Sequence, residues 1–152
     1  MNKLALLLLL IINFVVVGCN EPEEIVDAQT QVYSFLKEMN PELHRTLFKM
    51  NEEMVLADRK IQQLQELKGM FPDQRHKINK SIRQWQGLSK ELTSTWHRLY
   101  DKVEAAYVAY KIDEIQGRKK FSAISQELLK EGNAVLAEAE TTKSLIEEQL
   151  YE

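Results

Sequence analysis

The chain has 152 residues and a formal charge of -3, with 44% apolar and 28% charged residues, which suits one folded domain and excludes wholesale disorder. Only 5 Gly and 3 Pro are present, too few for the many turns of a β-rich or α/β fold, and 1 Cys excludes a disulfide framework and a Cys-based zinc site. A chain dedicated to nucleic acid would be basic, so no nucleic-acid partner is expected.

Met1-Asn2-Lys3 opens the chain with one positive side chain, and Leu4 to Val17 follows, apolar except at Asn13. That stretch is shorter than the ~20 residues a membrane-spanning helix needs and fits the apolar core of a secretory signal peptide. It runs into Val16-Val17-Gly18-Cys19, which resembles the bacterial lipobox. The resemblance implies cleavage after Gly18 and attachment of diacylglycerol to the Cys19 thiol, so that residues 1–18 are removed and residues 19–24 form a lipidated start and short linker. It also implies a palmitate-bearing lipoprotein held at a bacterial membrane on its extracytoplasmic side. Asn20 stands where an Asp would suggest retention at the inner membrane, which favours the outer membrane in a host that has one.

Residues 25–152 are expected to form one all-α, coiled-coil-like domain. Pro22, Glu23 and Glu24 suit a first helical turn. From Leu36 a seam runs through Met39, Leu43, Leu47, Met50, Met54, Ala57, Ile61 and Leu64 in steps of three and four. Asn40-Pro41 either caps a new helix or kinks a long one, and we read a kink in one helix over about 24–68. Gly69 to Asp73 is the clearest break, with Gly69 expected as a left-handed cap and Pro72 as a stop.

A second seam runs Ile78, Ile82, Trp85, Ser89, Leu92, Trp96, Leu99, Val103, Ala106, Tyr110, predicting a helix over about 73–116. The third stripe, Phe121, Ile124, Leu128, Val135, Ala139, Leu145 and Ile146, is looser and is interrupted at Glu131-Gly132-Asn133. Gly117 or Gly132 ends the second helix in this reading. The architecture is then an elongated antiparallel helical hairpin or a three-helix bundle, and we favour the bundle because a hairpin leaves wide apolar faces wet.

Little in the sequence points to catalysis. Trp85, Trp96, Tyr100, Tyr107 and Tyr110 share one helical arc that a sugar could stack on, but Ile78, Leu92 and Val103 share it too, which marks a packed seam. Met39, Met50 and Met54 likewise read as core before partner groove. His44, His76 and His97 lack metal-ligand spacing, and the chain has neither a nucleophile elbow nor a Gly-rich phosphate loop. No catalytic residue, metal or cofactor is expected.

Two basic clusters remain as candidate contacts for a polyanion or partner. Arg75, Lys77, Lys80 and Arg83 flank the expected turn, and Arg118, Lys119 and Lys120 follow the second helix. If the first helix starts at a lipid, the turn cluster projects outward and the second cluster returns toward the headgroups. A further likeness lies at Arg98-Leu99-Tyr100-Asp101-Lys102-Val103, Ala106-Tyr107, Lys111 and Asp113. With the lipobox and the Lys/Glu-rich helices, these residues resemble the cell-wall-binding lipoproteins of bacilli (YkyA-type). That resemblance implies a surface lipoprotein contacting the wall. The expected role is a non-catalytic spacer or adaptor in the cell envelope, touching a wall polymer or envelope protein. The alternative is an accessory lipoprotein subunit of a secretion or conjugation machine.

Overall fold

The computed structural model describes residues 27–151, and every element among them is helical. In chain order they are α1 (Ala28–Met39), α2 (Pro41–Met70), a 3-10 turn (Pro72–Gln74), α3 (Arg75–Ile112) and α4 (Glu114–Tyr151). The chain divides into two units, Met1–Thr30 and Gln31–Glu152. Of the first, Asp27 to Thr30 are described; the Asp27 carboxylate accepts the Thr30 N–H at 2.8 Å and caps the start of α1.

Each helix boundary has a local cause. Pro41 disfavours helical backbone at the residue before it, and Asn40 turns extended, at φ -152° and ψ 87°. The Asn40 Oδ1 then accepts the Leu43 N–H at 3.0 Å, so Asn40 caps α2 and Pro41 takes its first turn. The expected kinked helix over 24–68 is therefore two capped helices. The Asn40 N–H still reaches the Leu36 carbonyl at 2.8 Å, which keeps α1 and α2 in register with one seam.

Gly69 is not the cap the sequence suggested. No described glycine has a positive φ, and α2 continues to Met70. Phe71, the residue before Pro72, leaves the helix at φ -121° and ψ 75° while its N–H bonds the Leu67 carbonyl at 2.9 Å. The second break is also displaced. Instead of running to 116, α3 ends at Ile112, and neither Gly117 nor Gly132 terminates a helix. Asp113 sits at φ -146° and ψ 107°, accepts the Gln116 N–H on its carboxylate at 3.1 Å, and so caps α4.

Side-chain pairs fix the topology. Asp58 meets Ser89, Met54 meets Thr93 and Leu47 meets Trp96, so α2 and α3 run antiparallel. Thr46–Asn133 and Lys60–Glu147 share one separation of 87 residues, so α2 and α4 run parallel. Gln84–Gln149 and Arg98–Glu131 make α3 and α4 antiparallel. The result is an up-down-up arrangement of three long helices, the bundle of the two expected architectures, with α1 added on the line of α2.

The core follows the seams. Leu36, Leu43, Leu47, Met50, Ala57 and Leu64 are buried, and Met39, Met54 and Ile61 pack partly against them. All of the α3 seam is buried or half-buried, with Leu88 buried beside the half-buried Ser89. Full burial of a side chain such as Leu92 or Phe121 stabilises by roughly 1.5–3 kcal/mol. Among the side chains described in α4, the buried positions are Gly117, Phe121, Ser125, Leu128, Gly132, Ala139 and Ile146. The stripe that looked interrupted is continuous, because its small members are packed. Leu145, expected in it, is exposed, and its neighbour Ile146 takes the inward position.

Candidate functional site

The turn between α2 and α3 presents the first cluster. Arg75, Lys77, Lys80 and Arg83 lie on the first turns of α3, and all four are exposed. None of the four takes part in an ion pair among the described residues, whereas Lys60, Arg98, Arg118 and Lys143 do. Their charges are thus available to an outside anion. The same tip exposes the apolar Leu67, Met70 (70%) and Phe71, which belong to neither seam. Their signal was legible in Gly69-Met70-Phe71-Pro72, where helix breakers leave two large apolar side chains with no face to bury.

The second cluster does not act as a unit. Arg118 bonds Glu114 through Nε at 3.0 Å and Glu38 through a terminal nitrogen at 3.2 Å, and lies 5.4 Å over the Tyr110 ring. Its hydrogen bonds to Glu114 and Glu38 raise its pKa above the ordinary arginine value. Arg118 therefore clasps α1, α3 and α4 together. Lys119 and Lys120 are exposed beside it.

The aromatic arc is closed. Trp85 and Trp96 are buried, and the Trp96 indole N–H donates to the Leu47 carbonyl at 3.2 Å. Tyr100 stacks on Trp96 with centroids 4.9 Å apart. Phe35 from α1 packs among Tyr107, Tyr110 and Phe121 at centroid distances of 5.1–5.5 Å. α1 thus occupies much of the face a sugar would have stacked on. The Met residues are equally internal: Met50 is fully buried, Met54 Sδ accepts from Thr93 at 3.2 Å, and Met39 Sδ accepts from Arg118 at 3.2 Å.

A cleft of about 660 Å³ lies between α2 and α4, lined by residues that include Glu42, Arg45, Lys49, Glu53, Asn133 and Glu140. Near it Lys143, 15% exposed, bonds Glu53 at 2.9 Å and Glu140 at 2.8 Å. Burial alone would lower the lysine pKa, but the hydrogen bonds to Glu140 and Glu53 outweigh it and leave the pKa raised. Both signs of charge line the cleft and compensate one another, so it concentrates no single sign of charge. No group of three or more His, Cys, Asp or Glu among the described residues is placed to hold a metal ion.

The chain matches no protein-family model, no curated protein and no solved structure. Cys19 and the signal segment 1–18 lie outside the described residues. No helix among those described is long and apolar enough to cross a membrane.

Proposed function

We propose that this chain is a bacterial lipoprotein, acylated at Cys19, whose helical bundle is a non-catalytic spacer in the cell envelope. The lipobox-like Val16-Val17-Gly18-Cys19 supports the anchor. The observation that carries the spacer role is the exposed set Arg75, Lys77, Lys80 and Arg83, free of ion pairs among the described residues. It lies at the opposite end of α3 from Tyr107, whose hydroxyl donates to Gln31 at 2.7 Å. The four basic residues precede Tyr107 by 24 to 32 positions of one helix, a separation of about 36–48 Å. An anchor preceding α1 then presents the basic tip outward, toward an anionic wall polymer.

The test has two parts. Radiolabelled palmitate should enter the wild-type chain and not Cys19→Ala. Reversal of Arg75, Lys77, Lys80 and Arg83 to Glu should reduce salt-sensitive binding to isolated wall material with the helical spectrum unchanged. Unlabelled wild-type protein refutes the anchor, and binding indifferent to both reversal and salt refutes the tip. The exposed Leu67, Met70 and Phe71 favour a second reading, in which the tip docks on an envelope protein of a secretion or conjugation machine. Capture of one defined protein, lost on Met70→Ser with Phe71→Ser, would select it.

A further inference from the structure

The corner between α3 and α4 carries an amphipathic surface that joins Lys119 and Lys120 of the second basic cluster to Lys111 and to exposed aliphatic side chains. Ile112 is 83% exposed and Ile115 is 78% exposed, among the most exposed large apolar side chains described. Val108 lies one turn before Ile112 on the same face of α3 and is exposed as well. A packed bundle has no use for three such side chains at one corner. Lys111 sits in the last turn of α3, and Lys119 lies one turn after Ile115 on the same face of α4.

The corner's acidic groups are already engaged within the fold. Asp113 accepts the Gln116 N–H, and Glu114 and Glu38 are paired with Arg118. Lys111, Lys119 and Lys120 make no ion pair among the described residues and outnumber Asp113, the corner carboxylate with no cation paired to it among the described residues. Exposed aliphatic side chains and unpaired lysines on the same two helix ends match the boundary of an anionic bilayer, which offers acyl chains to the first and phosphates to the second.

Chain length places a bilayer within reach. Tyr107 holds Gln31 at this end, and 12 residues separate Gln31 from Cys19, a span of at most about 43 Å. We infer that the corner is a second membrane contact, in which Val108, Ile112 and Ile115 enter the headgroup boundary of an anionic bilayer and Lys111, Lys119 and Lys120 meet its phosphates. The inference rests on the Cys19 anchor proposed above. The acyl chains on Cys19 supply the attachment; the corner contact fixes orientation, setting the bundle upright with its basic tip away from the membrane.

The experiment uses the full chain, produced in bacteria as the membrane-bound form and reconstituted into vesicles of phosphatidylglycerol and phosphatidylcholine. An environment-sensitive dye is placed on Ile115→Cys or, for comparison, on Met70→Cys. Nitroxide-labelled lipid should quench the dye at 115 at least about twofold more than at 70, with a blue-shifted emission. Lys111→Glu with Lys119→Glu and Lys120→Glu should remove that difference. A dye at 115 as wet as at 70 overturns the inference. So does a blue shift without nitroxide quenching, because a second copy or a protein partner then covers the corner. The wild-type chain, whose one thiol is Cys19, should take no dye. Uptake there overturns the anchor reading and this inference with it, whereas an acylated Cys19 with a wet label at 115 overturns the inference alone.

Discussion

Gly117 of α4 passes directly over Tyr110 of α3, so close that a Cβ on Gly117 would overlap the Tyr110 Cα and backbone nitrogen. The Asp113 corner turns the chain back on itself within one helical turn, and only a residue without a side chain lets the two backbones cross there. Gly117→Ala must push backbone against backbone and is expected to destabilise the bundle by about 2 kcal/mol or more. Gly87, also helical, faces open space. Gly87→Ala is expected to stabilise by up to about 1 kcal/mol. Urea unfolding of the two variants checks the contrast; equal effects would mean that the crossing is not tight.

The seams of α2 and α3 were legible because large apolar residues mark nearly every inward position, and all of those positions from Leu36 to Tyr110 pack as expected. The α4 seam was not, because Gly117, Ser125 and Gly132 are inward yet carry no hydrophobic signal. Small residues are chosen there for close approach: a Cβ on Gly132 would come within 2.7 Å of the Thr46 methyl. Helix ends are legible in part: Pro41 and Pro72 mark their breaks, whereas Gly69 and Gly117 end no helix, and the break after α3 is set by the capping side chain of Asp113. Of the candidate contacts, exposure followed from position, but the withdrawal of Arg118 into a clasp with Glu38 needed the third dimension.

Lys143 tests how much one half-buried ion pair matters. Glu53 is 14% exposed and has Lys143 as its partner. Lys143→Met keeps the length of the side chain and leaves the carboxylate without its cation. A loss of about 1–2 kcal/mol is expected from the stranded charge. Lys143→Met with Glu53→Leu should recover most of it, since both charges are then gone. A double variant no more stable than the single one would show that packing, and not the stranded carboxylate, sets the cost.

The antiparallel register of α2 and α3 can be trapped covalently. Asp58 Oδ1 and Ser89 Oγ are 3.1 Å apart at the helix surface. Cys at both positions, in a chain carrying Cys19→Ala, should form a disulfide in air, since bridging needs Cα atoms within about 7 Å. Cys at Asp58 and Lys80 should not, because Lys80 lies more than two helical turns before Ser89 in α3. Oxidation of the second pair in preference to the first would refute the register.

Acidification reads out the packing of α1 through His44. The imidazole is half-buried and meets the Tyr33 ring edge-on at a centroid distance of 5.9 Å. Burial lowers its pKa below the ordinary histidine value, and the positive charge of Lys37 lowers it further. The folded state therefore resists a proton that the unfolded chain accepts. Stability from this site is fully present above the unfolded value of about 6.5 and is lost as pH falls through that value toward the lowered folded one. His44→Gln should leave stability near pH 8 little changed and flatten the decline between about pH 7 and 5. Urea unfolding of both proteins across that range isolates the histidine, because the carboxylates common to both contribute equally. An identical pH slope in the two proteins would mean that His44 titrates as freely in the bundle as in the unfolded chain.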